Sequence, residues 1–495
     1  MIVKKDTKNG EVEIGSNLLE YRGLPEILYN NDSDDLKFPA YGHESLWVPE
    51  GNQPELTPLK SFNDYLSWRI GPLAESCADG LSYCGNFGIK IWEIQHDRIP
   101  ALGDDPFLDI RNFWKKEPGR SFYFSVRMND KHHEWLDWPH LWTDYYKENR
   151  HLFLNPPSEE YWKNYILPWI NHKAKRPEIE ENAFCLDYSK IEVRKHYLSI
   201  IEEASQRYEL DGFELDWLRF PKYFKEGEES VTIMTEFVEK IHRILESNGL
   251  KHGKKLKLVC RVHETPEESL AVGLDVKAWI KAGFLDAVIA GHGLTFSSNP
   301  IRTWIDIAHP EKVAVYGCLE RANFGKRKFD RYGTPEGLRS AVATLRHLGM
   351  DGLYLFNYYL PKDYPLFEDF IESDRMSRLP KEYFTDSGNA CVLPASLKPG
   401  EMVLAPLVIA DDPGSVAEIS MELVWEGKIP EETPTVRING IKIEGGISVI
   451  KEPCFITTFS NNCNLRAALK KGINEVSVTA KNLTTIDTVN LRVKP

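Results

Sequence analysis

The sequence predicts a (β/α)8 barrel with insertions, followed by an all-β sandwich domain. Between residues 24 and 360, eight short apolar runs alternate with segments of helical period, the pattern of a parallel sheet wrapped by helices. No glycine-rich phosphate turn follows the first run, which argues against a doubly wound open sheet. After about residue 385 the helical period stops and alternating strands take over. The expected division is therefore a barrel domain over 1–384 and a sandwich domain over 385–495.

The first strand is read in LPEILYN (24–30), the second within YCGNFGIKIWEI (83–94) and the third in SFYFSVRM (121–128). The aromatic-rich EWLDWPHLWTDYY (134–146) exceeds a simple connector and is expected to form a lid or wall. Ser189 and Glu192 stand in capping-box spacing ahead of a helix carrying Val193, Tyr197, Ile200, Ala204 and Tyr208 on one face. The fourth strand lies in ELDGFELDWLRFP (209–221), and a helix follows near 230–247. The fifth strand is KLKLVCRV (255–262). Asp275 then caps a helix that Gly283 ends, before the sixth strand, LDAVIAG (285–291). Asn299 caps a helix with proline first, and KVAVYGCL (312–319) is the seventh strand. Thr334-Pro335 opens the last helix, Gly349 closes it, and DGLYLFNYY (351–359) is the eighth strand. In the C-terminal part, Asn439-Gly440 marks a two-residue hairpin turn. No internal repeat is read.

A net charge of −13 argues against nucleic acid, whose phosphates require a basic face. No apolar run reaches the roughly 18–20 residues that span a bilayer, and the N-terminus lacks the apolar segment of a secretory signal. A cytoplasmic protein is expected from the chain as written, or a secreted or periplasmic one if a signal has been removed. The eight cysteines show no C-x-x-C pair or zinc spacing, so they read as reduced core residues. No cofactor or metal is expected. Aromatic residues make up 12% of the chain, including 13 tryptophans, a surplus that suits flat platforms for sugar rings.

Barrel chemistry belongs to the C-terminal strand ends and the loops after them. Alternation along the fourth strand turns Phe213, Leu215 and Trp217 toward the helices and Gly212, Glu214 and Asp216 inward, with Asp216 at the rim. Two inward carboxylates on one strand raise each other's pKa and need donors around them. Asp211, ahead of a glycine, reads as turn chemistry. The third strand runs into Arg127, Asn129, Asp130, His132 and His133, and the fifth into Arg261, His263 and Glu264. The sixth ends at His292, the seventh at Glu320 and Arg321, and the eighth at Asn357 and Tyr358. Carboxylates, arginines, histidines and aromatics around one mouth suit cleavage of glycosidic bonds. That reaction needs two carboxyl groups, about 5–5.5 Å apart for retention and about 6.5–9.5 Å for inversion. Glu214 and Asp216 share a strand and are poorly placed to flank one bond, so the partner of Asp216 is expected to be Glu264 or Glu320, with Asp130 third. Glu214 joins the catalytic candidates as a group that tunes charge or binds substrate. Arg127, Asn129, Asp130, His132, Trp217, Arg219, Arg261, His263, His292, Asn357 and Tyr358 are the candidates for holding substrate. A non-catalytic carbohydrate-binding barrel and a polysaccharide lyase, whose Arg and His groups would handle a uronate, are the alternatives.

The stretch RYELDGFELDWLRFP resembles the strand-four motif of family 10-like glycoside hydrolases, roughly D-G-[IF]-x-[LF]-D-[YW]-x-R-[FY]-P, at Asp211, Gly212, Asp216, Trp217, Arg219, Phe220 and Pro221. RMND followed by histidine, LDYSKIEVRKHYLSII and GLDVKAWIKAGFLDAVI add to the similarity, which spans most of the barrel. The resemblance implies a (β/α)8 fold, a carbohydrate substrate and Asp216 as an active-site acid. Glu214 departs from the pattern, which has an apolar residue or His there. Two role assignments follow from related barrels: Asp216 as acid/base with Glu320 as nucleophile, or Asp216 as nucleophile with Glu264 as acid. The Asn-Glu pair usual in the first scheme is absent here.

Overall fold

The computed structural model describes residues 18–33, 61–86, 105–131, 142, 144–171, 173–180, 182–291, 300–320, 333–358, 361–385, 393–451, 454–460 and 464–495. Eight parallel strands close into a barrel in sequence order: β1 Ile27–Asn31, β2 Gly80–Asn86, β3 Ser121–Arg127, β4 Gly212–Asp216, β5 Lys257–Val262, β6 Ala287–Ala290, β7 Ala314–Glu320 and β8 Gly352–Phe356. The second strand begins ahead of the expected 83–94, because Asp79 accepts the amides of Glu26 and Ile27 and sets Gly80 beside β1.

Local chemistry explains the helices that wrap the sheet. Helix α1 (Leu18–Arg22) lies at the N-terminal end, where Leu18 and Leu24 join the apolar cluster of the barrel interior. Helix α2 (Ile191–Arg207) starts without a side-chain cap, so the expected Ser189–Glu192 capping box does not form. Asp187 accepts the Ser189 amide instead, in a turn that leads into the helix. Ser230 caps α3 (Val231–Lys251) and Asp275 caps α4 (Val276–Lys281), which ends at Gly283 with φ +73. Helix α5 (Pro300–Ala308) follows β6; its expected cap, Asn299, lies outside the described residues. Thr334 caps α6 (Pro335–Leu348), and Gly349 closes it at φ +105. Among the described residues no helix is long and apolar enough to cross a membrane.

The strand register sorts the inward side chains into layers. Leu28 pairs with Gly80 and Gly80 with Ser121, and the same level on β3 is reached two residues later, at Tyr123. Repeated around the barrel, this stagger accumulates to the shear of about eight residues expected of the fold. Odd strands supply Leu28, Tyr123, Val259 and Tyr316 to the lowest layer, and even strands supply Ser82, Glu214, Ile289 and Tyr354 to the second. Asn30, Ser125, Arg261 and Cys318 form the third layer. The upper layers, described below, carry most of the charge.

A fourfold repeat underlies the N-terminal end, although none is read from the sequence. Asp79, Asp211, Asp286 and Asp351 each stand just before an even strand, and each accepts a backbone amide from the preceding odd strand: Ile27, Phe122, Leu258 and Val315. The next residue is glycine in three cases and alanine in the fourth. A Cβ at Gly212 would fall 2.5 Å from the Tyr123 ring, and one at Gly352 would fall 2.5 Å from Tyr316. The small residues therefore admit the lowest-layer tyrosines. Asp211 belongs to this scaffold and is further held by Lys115 and Lys254.

Two antiparallel sheets follow. Strand β9 (Lys381–Phe384) pairs with β18 (Thr484–Lys494), so antiparallel structure begins ahead of residue 385. The first sheet orders β10 (Ala395–Leu397), β18, β12 (Glu418–Glu426), β16 (Cys454–Phe459) and β15 (Ile447–Lys451). The second orders β11 (Met402–Ile409), β17 (Gly472–Thr479), β13 (Thr435–Ile438) and β14 (Ile441–Lys442). A separate apolar core fills the sandwich. Asn439 and Gly440 make the β13–β14 turn with φ +50 and +82, the positive values that such a turn needs.

Candidate active site

Inward side chains turn from apolar to charged toward the C-terminal strand ends. The fourth layer places Asp216 on β4 and Phe356 on β8 level with Cys84 on β2 and with Gly291 just past β6. The fifth brings Arg127 and Glu320 together with Asp32 and His263, which extend β1 and β5. Five of these eight residues stand within strands of the closed sheet, and Asp32, His263 and Gly291 directly follow strand ends.

Asp216 is 1% exposed, and both of its oxygens are engaged. Oδ1 accepts the Leu218 amide at 2.9 Å, and Oδ2 accepts Nη1 of Arg261 at 3.3 Å. Burial works against the charge of Arg261, but Asp216 beside it, with lesser support from Cys318, Tyr354 and Glu320, holds the guanidinium above its ordinary pKa. Its Cζ lies 3.7 Å from the centre of the Phe356 ring, and that of the half-buried Arg219 lies 5.1 Å from the same centre. Phe356 thus carries two guanidinium groups in the layer of Asp216.

Glu214 lies two layers deeper and is fully buried. It meets neutral donors rather than an Arg or Lys: Tyr354 donates to Oε1 at 2.6 Å, and Asn30 (3.1 Å) and Ser82 donate to Oε2. Burial, then the charge of Asp216, pushes its carboxyl up to about 7, against the opposing pull of Ser82, Tyr354 and Arg261. Asn30, Ser82 and Tyr354 escaped the sequence reading. Alternation turns Asn30 and Tyr354 inward on β1 and β8, but only the register of the closed sheet brings them and Ser82 to the level of Glu214.

Arg127 sits between Asp32 at 2.9 Å and Asp130 at 2.7 Å, all three buried. Asp130 is therefore tied into an ion triad, with Asp32 as a member the sequence did not suggest. Glu320 is 7% exposed, and its Oε1 accepts from Asn357 at 2.7 Å. Asn357 adopts φ +49, a conformation open to asparagine at a strand end. Glu264 is half-buried and crosses the end of β6: a Cβ on Gly291, at φ +76, would fall 2.5 Å from its Cγ. Burial lowers the imidazole pKa of His263, whose carbonyl accepts the Trp304 indole.

Three expected substrate contacts are placed elsewhere. Trp217 is fully buried against Tyr223 and Trp279, because alternation turns it outward once Asp216 faces in. Tyr358 packs on Phe367, and its carbonyl accepts from Tyr29, which puts the residue in the layer between strands and helices. Asn129 fastens two loops, donating to the carbonyls of Leu186 and Lys222 and accepting the Leu186 amide. His132, His133, His292 and Arg321 lie outside the described residues, as does most of 134–146. Trp142, from that stretch, closes an aromatic core with Tyr146, Phe153, Trp162, Trp169 and Phe184.

No family model matches the chain, and no curated protein matches it in sequence. Several solved structures align with the chain at low scores. An alpha-amylase from Anoxybacillus aligns over 93% of this chain and 99% of its own, with 11% identity and a TM-score of 0.41. The glycoside hydrolase domain of PgaB from Bordetella bronchiseptica aligns over 70% and 99%, with 11% identity and a TM-score of 0.40. A family 18 N-acetylglucosaminidase from Paenibacillus barengoltzii aligns over 63% and 97%, with 10% identity and a TM-score of 0.37. Scores this low carry no argument.

Proposed function

We propose that the chain is a glycoside hydrolase, of the family 10-like kind its strand-four motif resembles, acting on a poly- or oligosaccharide with Asp216 and Glu320 as its two carboxylates. The observation that carries the reading is the grouping of these acids at the C-terminal end of the barrel, with the buried Arg261 in the field of both. Acids on β4 and β7, three strands apart in the closed barrel, suit the two sides of a glycosidic bond better than two acids on a single strand.

Hydrogen bonding suggests the division of labour. Asp216 accepts donors on both oxygens, which orients its lone pairs and fits a nucleophile or base. Glu320 has only Oε1 engaged among the described residues, by a neutral amide, which fits delivery of a proton to the leaving oxygen. Glu264 is the alternative donor. The near-complete burial of Asp216 favours a second reading, a barrel that binds glycan without cleaving it.

Turnover of a polysaccharide panel by Asp216→Asn, Glu320→Gln and Glu264→Gln separates these readings. Loss of roughly 100- to 10,000-fold in the first two supports the proposal. Loss in Glu264→Gln with Glu320→Gln unaffected moves the acid to β5, and full turnover by Asp216→Asn removes Asp216 from the reaction.

A further inference from the structure

Arg261 has more donor capacity than its surroundings use. Its side chain is buried, yet Asp216 engages it through Nη1 alone, at 3.3 Å. Nε is buried and meets no partner among the described residues, and the Nε–Nη2 edge donates to none of them. That edge is the part of a guanidinium that takes two oxygens of one anion in parallel hydrogen bonds. Arg127, by contrast, is already flanked by Asp32 and Asp130.

A second cation shares the ring against which Arg261 lies. Arg219 and Arg261 lie 5.1 and 3.7 Å from the centre of one phenyl ring, so their charges are no farther apart than those two distances together. The ring, Phe356, occupies the layer of Asp216, and Arg219 is accessible to solvent. Arg219 thus adds a second positive charge close to Arg261, which favours an anion at this level of the barrel.

We infer that the site selects sugars carrying an oxyanion, a hexuronate carboxylate or a sulfate ester, bound by the Nε–Nη2 edge of Arg261 with Arg219 alongside. The inference rests on the glycoside hydrolase reading for its sugar and on the guanidinium geometry for its charge. Asp216 keeps Nη1, so binding of the anion fixes Arg261 and with it the carboxylate above.

The test pairs charged glycans with neutral counterparts of the same backbone: oligogalacturonates with their methyl esters, and sulfated oligosaccharides with the desulfated chains. Binding is measured by calorimetry and cleavage by product analysis, for the wild-type chain, Arg219→Gln and Arg261→Lys. The expected result is binding of one charged series about tenfold or more tighter than its neutral partner, with the preference reduced in Arg219→Gln. Which series shows it identifies carboxylate or sulfate. Arg219 is half-buried at a loop, so its variant reports even if Arg261→Lys fails to fold. Equal binding of charged and neutral partners, or an Arg219→Gln variant that weakens both alike, overturns the inference. Cleavage of neutral glycans alone would do so while leaving the hydrolase reading intact. Charged glycans bound but never cleaved would do the reverse, and no binding in any series removes both.

Discussion

Glu214 offers a direct test of the electrostatics inside the barrel. Its carboxyl is fully buried and pushed to about 7 from an ordinary 4.5 by burial and by Asp216. Protons are therefore held more tightly in the folded chain than in the unfolded one. Below pH 4.5 the group is protonated in both states and its contribution to stability is fully present. As pH rises from 4.5 to about 7 the unfolded chain releases this proton first, so stability falls, and the loss is complete once the folded group has ionised. The size of the fall is roughly 3 kcal/mol. Glu214→Gln removes the titration but retains a side-chain oxygen for Tyr354. Any cost of rearranging the contacts to Asn30 and Ser82 is independent of pH. Urea unfolding of both proteins, followed by tryptophan fluorescence from pH 4 to 8, isolates the effect. The stability of the variant relative to wild type should rise by roughly 3 kcal/mol across this range. A difference that stays constant within about 0.5 kcal/mol would mean that Glu214 titrates alike in the folded and unfolded chains.

Gly291→Ala places a methyl group 2.5 Å from Cγ of Glu264 at a backbone φ of +76, and should cost about 1–3 kcal/mol. Part of that cost should disappear in a Glu264→Ala background, as a double-mutant cycle in thermal unfolding would register. Asp286→Ala leaves the Leu258 amide without its acceptor and Arg22 and Lys255 without their carboxylate, so it should lower stability by about 1–3 kcal/mol. Cleavage per folded molecule should be unchanged, because Asp286 lies at the barrel end opposite the site.

The strands were readable from the sequence because a buried parallel strand is a short, nearly continuous apolar run with turn residues on either side. The same alternation that put Asp216 inward predicted Trp217 outward, and the packing of Trp217 on Trp279 agrees. The contacts around Glu214 depend on which residues of β1, β2 and β8 reach its level. That is fixed by the register of a closed sheet, which involves residues more than a hundred positions apart. Asn129 resembled a binding residue because it follows a strand, but three backbone bonds to distant loops occupy it. The fourfold aspartate repeat went unseen for a related reason. Its members share only one or two adjacent residues in sequence, and their common role appears when each carboxylate meets the amide of the strand before it.

Cleavage in water enriched in heavy oxygen tests the central claim most directly, with each product weighed by mass spectrometry. Hydrolysis at the C-terminal end of the barrel predicts one heavy oxygen at each new reducing end, with Asp216→Asn giving roughly 100-fold less product or lower still. Unsaturated products that contain no solvent oxygen would establish elimination, and bound glycan recovered intact would establish a binding protein. Either result contradicts the account.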